Sequence, residues 1–441
     1  MASTAGTMAY RAYRALTSGL YPLLRLHLRW RAARGLDPPL RWAERLGRAS
    51  LPRPPGPLLW FHAVSLGEAI AAIPVIKHCL QKRPEVNILL TTAKMSAFEV
   101  LEDQLPSGVV HQLAPLDTPA AINAFFGYWK PNAIMIVESE LWPNLIVGAS
   151  ENGVALALLN ARMSAKSFER WSRPFLLPLM SLMLSKFSLI IPLSNVQAIR
   201  FQLLQAPPLV INFSGDLKYA VGECYSSREG VRFEGLKAQL AHKKVWMASS
   251  IHRGEEEVML GIHQHLMQMH HDVVTIIVPR YPEHGREIYQ ELKKGGHNVS
   301  LRSQHEKLEP GTNIYIVDTL GELRHLYRLT PVAVIGGSFV PGLAGHNMSE
   351  AAAAGCAILT GLHVGHFSHM VFQMQKVNPL SVLQVSGRDE LVRVIHKLFT
   401  DAQVLKEHQV AARQAFNALS GGVVGKVWNL IEFHVLRQCL C

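Results

Sequence analysis

From Leu58 onward, short apolar runs alternate with longer stretches whose apolar residues recur every three or four positions. The first series of runs, Leu58–Ala63, Val86–Thr91, Val109–Leu113, Ala133–Val137, Ala155–Leu159 and Leu189–Pro192, has strand length. Between them, Glu68–Cys79, Met95–Gln104, Thr118–Trp129 and Arg173–Ser185 carry the helical period. A second series places strands at Lys244–Ala248, Val273–Val278, Ile314–Val317, Val332–Ile335 and Cys356–Thr360. Its helices fall at Glu255–Met269, Arg286–Lys294, Glu322–Leu329, Ser349–Ala354 and Arg388–Phe399. Such alternation predicts βα units and parallel sheets, hence an α/β fold of two Rossmann-like domains. The polar stretch Asn212–Leu240 reads as their connection. Ligands of such folds bind beyond the carboxyl ends of the strands, and tandem domains predict a cleft between them.

The first 50 residues follow a different pattern. Arg11, Arg14, Arg25, Arg29, Arg31 and Arg34 all precede the first acidic residue, Asp37, and are interleaved with tyrosines and leucines. An acid-free, Arg-rich amphipathic start fits an organellar transit peptide, a helix lying on an anionic membrane, or a basic helix packed on the protein. It does not fit a transmembrane span, because Arg25 and His27 interrupt an already short apolar run. Pro52, Pro54, Pro55 and Pro57 then form a stiff linker.

Composition narrows the class. With 49% hydrophobic and 17% charged residues, the chain can bury a large core. A net charge of +11 favours an anionic partner. The basic residues are too scattered to predict nucleic-acid binding. Cys79, Cys224, Cys356, Cys439 and Cys441 form neither a disulfide framework nor a zinc motif. His263, His265, His270 and His271 read as a helix face and its end rather than a metal site. P-loop, GxGxxG and GxSxG signatures are absent.

Chemistry concentrates at the predicted strand ends. In "WFHAVSLGEAIAAIP", Gly67 would make a tight turn and Glu68 would fall in the first helical turn. There it is either a charge favoured by the helix dipole or a base. In "VESELWPN", Glu138 and Glu140 follow an apolar strand, with Trp142 placed to stack on a sugar or to fill the core. Arg162, Lys166 and Arg170 cluster after the next strand, as an anion site or a solvated loop. "SSIHRGEEE" (Ser249–Glu257) opens a helix, and Arg280 lies between two prolines, suited to a phosphate. "GGSFVPGLAGHNMSEAAAAG" (Gly336–Gly355) is the most specific window. A buried strand, a glycine-rich loop and a small-residue helix offer backbone amides to an anion, and Glu350 to the two hydroxyls of a ribose.

Seven windows, "HAVSLGE", "ESELWPN", "NARMS", "GDLKY", "IVPRYPE", "TLGEL" and "GHNMSEAAAAG", stand in the order and spacing of the Kdo (3-deoxy-D-manno-octulosonic acid) transferases. The chain resembles that family from about Trp30 to Leu430. The resemblance implies the GT-B glycosyltransferase architecture, with two Rossmann-like domains facing a central cleft. The implied divisions are a targeting or membrane-associating segment 1–50, an acceptor domain 51–211, a connection 212–240, a donor domain 241–415, and a C-terminal helix 416–441 crossing back to the first domain. The implied reaction is inverting, metal-independent transfer of Kdo from CMP-Kdo to a phosphorylated lipid A precursor, without a cofactor.

The resemblance also assigns residues. Glu68 would be the general base, with Glu138 and Glu140 a second acidic motif. Ser250, His252, Pro279, Arg280, Gly321, Glu322, Gly345, Asn347 and Glu350 would hold the donor. Ser65, Arg162 and Lys218 would contact the acceptor. The chain departs from the bacterial pattern at Ser349, Ala351, Leu362 and His366, while keeping Asn347 and Glu350. These departures and the transit-like start resemble the plant members, which are mitochondrial. Two other readings of the same features are a UDP-sugar transferase or epimerase of this fold, and a weakly catalytic membrane-associated binding protein.

Overall fold

A computed structural model describes residues 4–34, 41–93, 95–102, 104–223, 230–305 and 307–439. The chain divides into two compact units, Met1–Val221 with Gly422–Cys441, and Gly222–Gly421.

The first unit is built on a six-stranded sheet. Its strands are β1 (Leu58–His62), β2 (Asn87–Thr92), β3 (Val110–Leu113), β4 (Ala133–Val137), β5 (Ala155–Ala161) and β6 (Leu189–Pro192), in the order β3-β2-β1-β4-β5-β6. All pairs are parallel. A parallel sheet covered on both faces buries both sides of each strand, which is why the sequence shows continuous apolar runs here rather than alternation. Along β1, Leu58 and Trp60 enter one core cluster while Leu59 and Phe61 enter the other. Direction reverses between β1 and β4, and that switch point is where such sheets open a crevice.

Helices from both chain ends complete this unit. Helix α1 (Thr4–Ala33) buries Tyr10 in the Trp60 core. Its Gly6 lies so close to the helix Leu177–Leu184 that a Cβ would come within 2.6 Å of the Pro178 carbonyl oxygen. Tyr13 donates to Asp117 (2.9 Å), and Asn144 donates to Thr17 (3.1 Å). Helix α1 thus contributes to the unit's core through Tyr10. On the opposite face, α2 (Leu66–Lys82) and the helix Val423–Ile431 share a cluster containing Val75, Ile76, Val427 and Trp428.

The second unit holds β7 (Lys244–Ile251), β8 (Val273–Pro279), β9 (Val299–Leu301), β10 (Ile314–Ile316), β11 (Val332–Ile335), β12 (Ala357–Thr360) and β13 (Leu383–Gln384). Their order is β13-β12-β11-β7-β8-β10-β9, with the switch point between β7 and β11. The edge strands β9 and β13 were not expected, because runs of three and two residues carry no readable period.

Two boundaries differ from the sequence reading. The connection 212–240 contains a helix, Gly230–Leu240, held by buried Phe233, Leu236 and Leu240 at helical spacing. The boundary at 415/416 falls inside the helix Ala402–Ser420, and the break comes at Gly421–Gly422, where Gly422 takes φ 71°. Cys79, Cys356 and Cys439 are free thiols, whereas Cys224 and Cys441 lie outside the described residues.

Candidate functional site

In the first unit, acidic residues gather where β1 and β4 end. The chain leaves β1 through Val64 and the extended Ser65, which caps α2. Gly67, expected to form the turn, is already helical and has no positive φ. Glu68 occupies the third helical position and closes a capping box. Its Oε2 accepts from the Val64 amide (2.8 Å) and the Ser65 amide (3.3 Å). Its Oε1 accepts from the Ser65 hydroxyl (2.9 Å). These bonds favour the ionised carboxylate, but burial opposes them and wins, with the Glu138 charge adding to it, so the Glu68 pKa is raised.

Glu138 follows β4 in a left-handed conformation (φ 63°), an uncommon one for a residue with a Cβ. It is buried, with Oε1 2.5 Å from Lys218 Nζ and Oε2 3.6 Å from Arg162 Nη1. Lys218 is set in place by a second left-handed residue, Asn160 (φ 54°), at the end of β5. Asn160 donates to Asp216 Oδ1 (3.0 Å) and accepts from the Leu217 amide, and the Lys218 amide donates to the same Asp216 oxygen. Asn160 and Asp216 therefore organise the site, although the sequence showed them only as members of "NARMS" and "GDLKY". Of the clustered cations, Arg162 reaches the acidic group while Lys166 and Arg170 are exposed.

Glu140 completes the group. Burial, together with the charge of Glu68, pushes its pKa up to about 6. Trp142 Nε1 donates to Glu140 Oε2 (2.9 Å), a partial offset. The expected sugar-stacking indole is thus tied to a carboxylate, and its ring stands edge-on to His62, 4.7 Å between centroids. His62 is wholly buried, which holds its pKa down at about 3 and keeps the ring neutral. The cluster thus offers one carboxylate neutralised by cations and two whose pKa is raised, a shift in the direction that suits a general base.

In the second unit, the expected donor residues lie at or after the ends of β7 (Ser250, His252), β8 (Pro279, Arg280), β10 (Gly321, Glu322) and β11 (Gly345, Asn347, Glu350). Ser250 is left-handed (φ 57°), at an irregularity where Ile251 pairs with Pro279. His252 Nε2 lies 2.8 Å from His346 Nε2, with the rings stacked. Burial lowers the pKa of both, that of His346 to about 3, and the Arg280 charge adds to both shifts. Arg280 is exposed, and its guanidinium has no carboxylate partner among the described residues. A cation beside two neutral imidazoles suits a phosphate. Glu255, which sequence reasoning passed over as one of several helix-start acids, is fully buried. It accepts from the amides of His252, Gly337, Ser338 and Phe339, welding the loops after β7 and β11 together.

Several donor candidates have structural partners. Glu322 is gripped by the buried Arg302 through two bonds (3.0 and 2.8 Å) and accepts from Thr319. Gly321 is left-handed (φ 86°) beside it. Gly345 (φ 77°) packs so tightly that a Cβ would lie 3.1 Å from Val364 Cα. The helix Ser349–Ala354 does not begin with bare amides, because the Ser349 amide donates to Asn347 Oδ1 (3.0 Å). Glu350, on its first turn, accepts from Arg324 Nε (2.6 Å). Of the departures from the bacterial pattern, Ser349 and Ala351 are buried, Leu362 is exposed, and the His366 charge acts on His346.

Two parallel-sheet Rossmann-like units, each with candidate side chains at a switch point, define an α/β protein of GT-B architecture. Fold likeness agrees, since a S. aureus MnaA–UDP structure matches 86% of this chain and 96% of its own, with a TM-score of 0.59 and 11% identity. Sequence likeness is narrower. Residues 40–221 match the N-terminal family model described as 3-deoxy-D-manno-octulosonic-acid transferase. A protein of Arabidopsis thaliana, described as a probable mitochondrial 3-deoxy-D-manno-octulosonic acid transferase, is 60% identical over 98% of this chain and 97% of its own length. The Haemophilus influenzae 3-deoxy-D-manno-octulosonic acid transferase is 31% identical over 82% and 84% of the two chains. The chain belongs to the Kdo transferase family.

Proposed function

We propose that the protein transfers Kdo from CMP-Kdo to a hydroxyl of a phosphorylated lipid A-type acceptor, releasing CMP and inverting the anomeric centre without a bound metal. The observation that carries this reading is the acidic group where β1 and β4 end, in which the half-buried Glu68 and Glu140 both have the Glu138 charge as a neighbour and both have a raised pKa. Glu68 takes the proton of the acceptor hydroxyl as its oxygen attacks the sugar. Glu138, neutralised by Lys218 and Arg162, fixes the cations that contact the acceptor, and Ser65 orients Glu68. Charge develops on the departing CMP phosphate and is met by Arg280 and the His252–His346 pair. Glu350 receives the ribose.

The proposed site of action is a mitochondrial membrane surface. Helix α1 exposes Leu16, Leu20, Leu23, Leu26 and Trp30 among its arginines and contains no acidic residue. That combination favours an anionic lipid surface. Among the described residues, no helix is long and apolar enough to cross a membrane.

The test is a transfer assay with CMP-Kdo and a tetraacylated lipid A precursor, read by mass analysis. Addition of Kdo is expected, together with tighter binding of CMP than of UMP or UDP. Preference for a uridine nucleotide with no Kdo product would overturn the assignment.

A further inference from the structure

Among the described residues of the second unit, two arginine–glutamate pairs are largely shielded from water, whereas Arg253–Glu287 is exposed, and the two shielded pairs are built differently. Arg302 closes a fork on Glu322, with Nε donating to Oε2 and Nη2 to Oε1. Arg324 meets Glu350 at one point only, Nε to Oε1 at 2.6 Å. Its Nη2 is buried and has no hydrogen-bond partner, and Glu350 Oε2 accepts from no described residue. A guanidinium present only to neutralise a carboxylate gains most from the two-point fork, which the Arg302 pair adopts. A buried donor left without a partner calls for a missing ligand or water.

The pair is also firmly held. Arg324 sits on the short helix Leu323–Arg328, whose Tyr327 hydroxyl donates to Ser249 Oγ at the end of β7 (2.8 Å). The Tyr327 carbonyl in turn accepts from Cys356 Sγ (3.1 Å) just before β12. Both side chains are mostly shielded from water, at 16% and 17% exposure, so the contact is not a surface ion pair.

We propose that Arg324 is a specificity-determining residue of the nucleoside site, holding Glu350 through Nε while its Nη2 and Glu350 Oε2 together receive the two vicinal hydroxyls of the ribose. This rests on the reading of Glu350 as the ribose acceptor. A hydroxyl both donates and accepts, so an open donor–acceptor pair matches a cis-diol, and a closed fork does not. Loss of either hydroxyl leaves a buried charged group unpaired, which makes the pair selective for ribose over deoxyribose.

The experiment is equilibrium binding of CMP and 2′-deoxy-CMP to the full-length protein and to Arg324→Met and Arg324→Gln, with melting temperatures compared alongside. The wild type is expected to prefer CMP by about tenfold or more. In both variants CMP binding should weaken and the CMP to 2′-deoxy-CMP ratio should fall toward one. A purely structural role would lower the melting temperature without moving the ratio in whichever variant stays folded, and that result overturns the inference. Wild-type discrimination retained in full by a folded variant overturns it as well, and leaves the Glu350 reading standing. A wild type that binds both nucleotides equally removes the ribose role of Glu350, and with it this inference.

Discussion

Glu140 accepts a hydrogen bond from the indole N–H of Trp142 at 2.9 Å, and this bond opposes the burial that raises the carboxyl to about 6. Two titrating functions follow from that opposition. In the transfer reaction, activity should rise with pH as Glu68 and Glu140 ionise, with an acid limb that includes the Glu140 carboxyl at about 6. Trp142→Phe removes the opposing bond and should move that limb upward by about one unit. The pH dependence of kcat/KM in the two proteins checks it. For stability the sign is also fixed. A carboxyl raised in the folded state binds its proton there when the unfolded chain has lost it. Its contribution is complete below the ordinary value of 4.5 and is lost as pH rises through about 6.

Glu68→Gln separates base from cap. Glutamine still accepts the Val64 and Ser65 amides through its carbonyl oxygen, and it is a good third residue of a capping box. Melting should shift little, while kcat falls by about 10²–10⁴-fold. Unchanged turnover would remove Glu68 from the chemistry. Ser65→Ala should cost about 1 kcal/mol in stability by urea titration and, by releasing the hydroxyl bond to Glu68, lower kcat as well.

Lys218→Met leaves the Glu138 carboxylate buried with Arg162 3.6 Å away as its remaining ion-pair partner. A loss of about 3 kcal/mol of unfolding free energy is expected. Lys218→Met combined with Glu138→Gln should recover part of that loss. No recovery in the double variant would mean the pair is not the source of the effect.

Tyr13→Phe tests how α1 is fastened. Asp117 accepts from Tyr13 and from the amides of Asn144 and Leu145, so its carboxylate clamps α1 to the start of the helix Pro143–Glu151. Loss of one bond to a charged group should cost about 1.5–3 kcal/mol, measured by denaturant. Vesicle binding should be unaffected. Replacing Leu16, Leu20 and Leu23 with serine should reverse the pattern, abolishing sedimentation with anionic vesicles while leaving the melting temperature nearly unchanged.

The longer strands were legible because a sheet covered on both faces writes itself as apolar runs. The short edge strands β9 and β13 were not, since edge pairing needs little apolar sequence. Candidate site residues at strand ends, Glu68, Glu138, Glu140 and Arg280, stood out for the same reason, as charges interrupting apolar patterns. Their partners were not. Nothing local in the sequence says that Asp216 fixes Asn160, that Arg302 claims Glu322, or that Arg324 meets Glu350, because these contacts join loops tens of residues apart. The start, Arg-rich and acid-free, pointed to an amphipathic segment and left open a transit peptide, a membrane-surface helix and a helix packed on the protein. Its buried Tyr10 and its polar tie to Asp117 depend on surfaces made by later segments.

The first unit is discontinuous, and this orders its assembly. Residues 222–421 form one uninterrupted unit that has all its own strands once Gly421 has emerged. The first unit begins with α1 and lacks Val427, Trp428 and Ile431 of its core until the last twenty residues follow. A chain made or threaded from its N-terminus therefore completes its second unit before its first, and α2, the helix that carries Glu68, gains the packing of Val427 and Trp428 last.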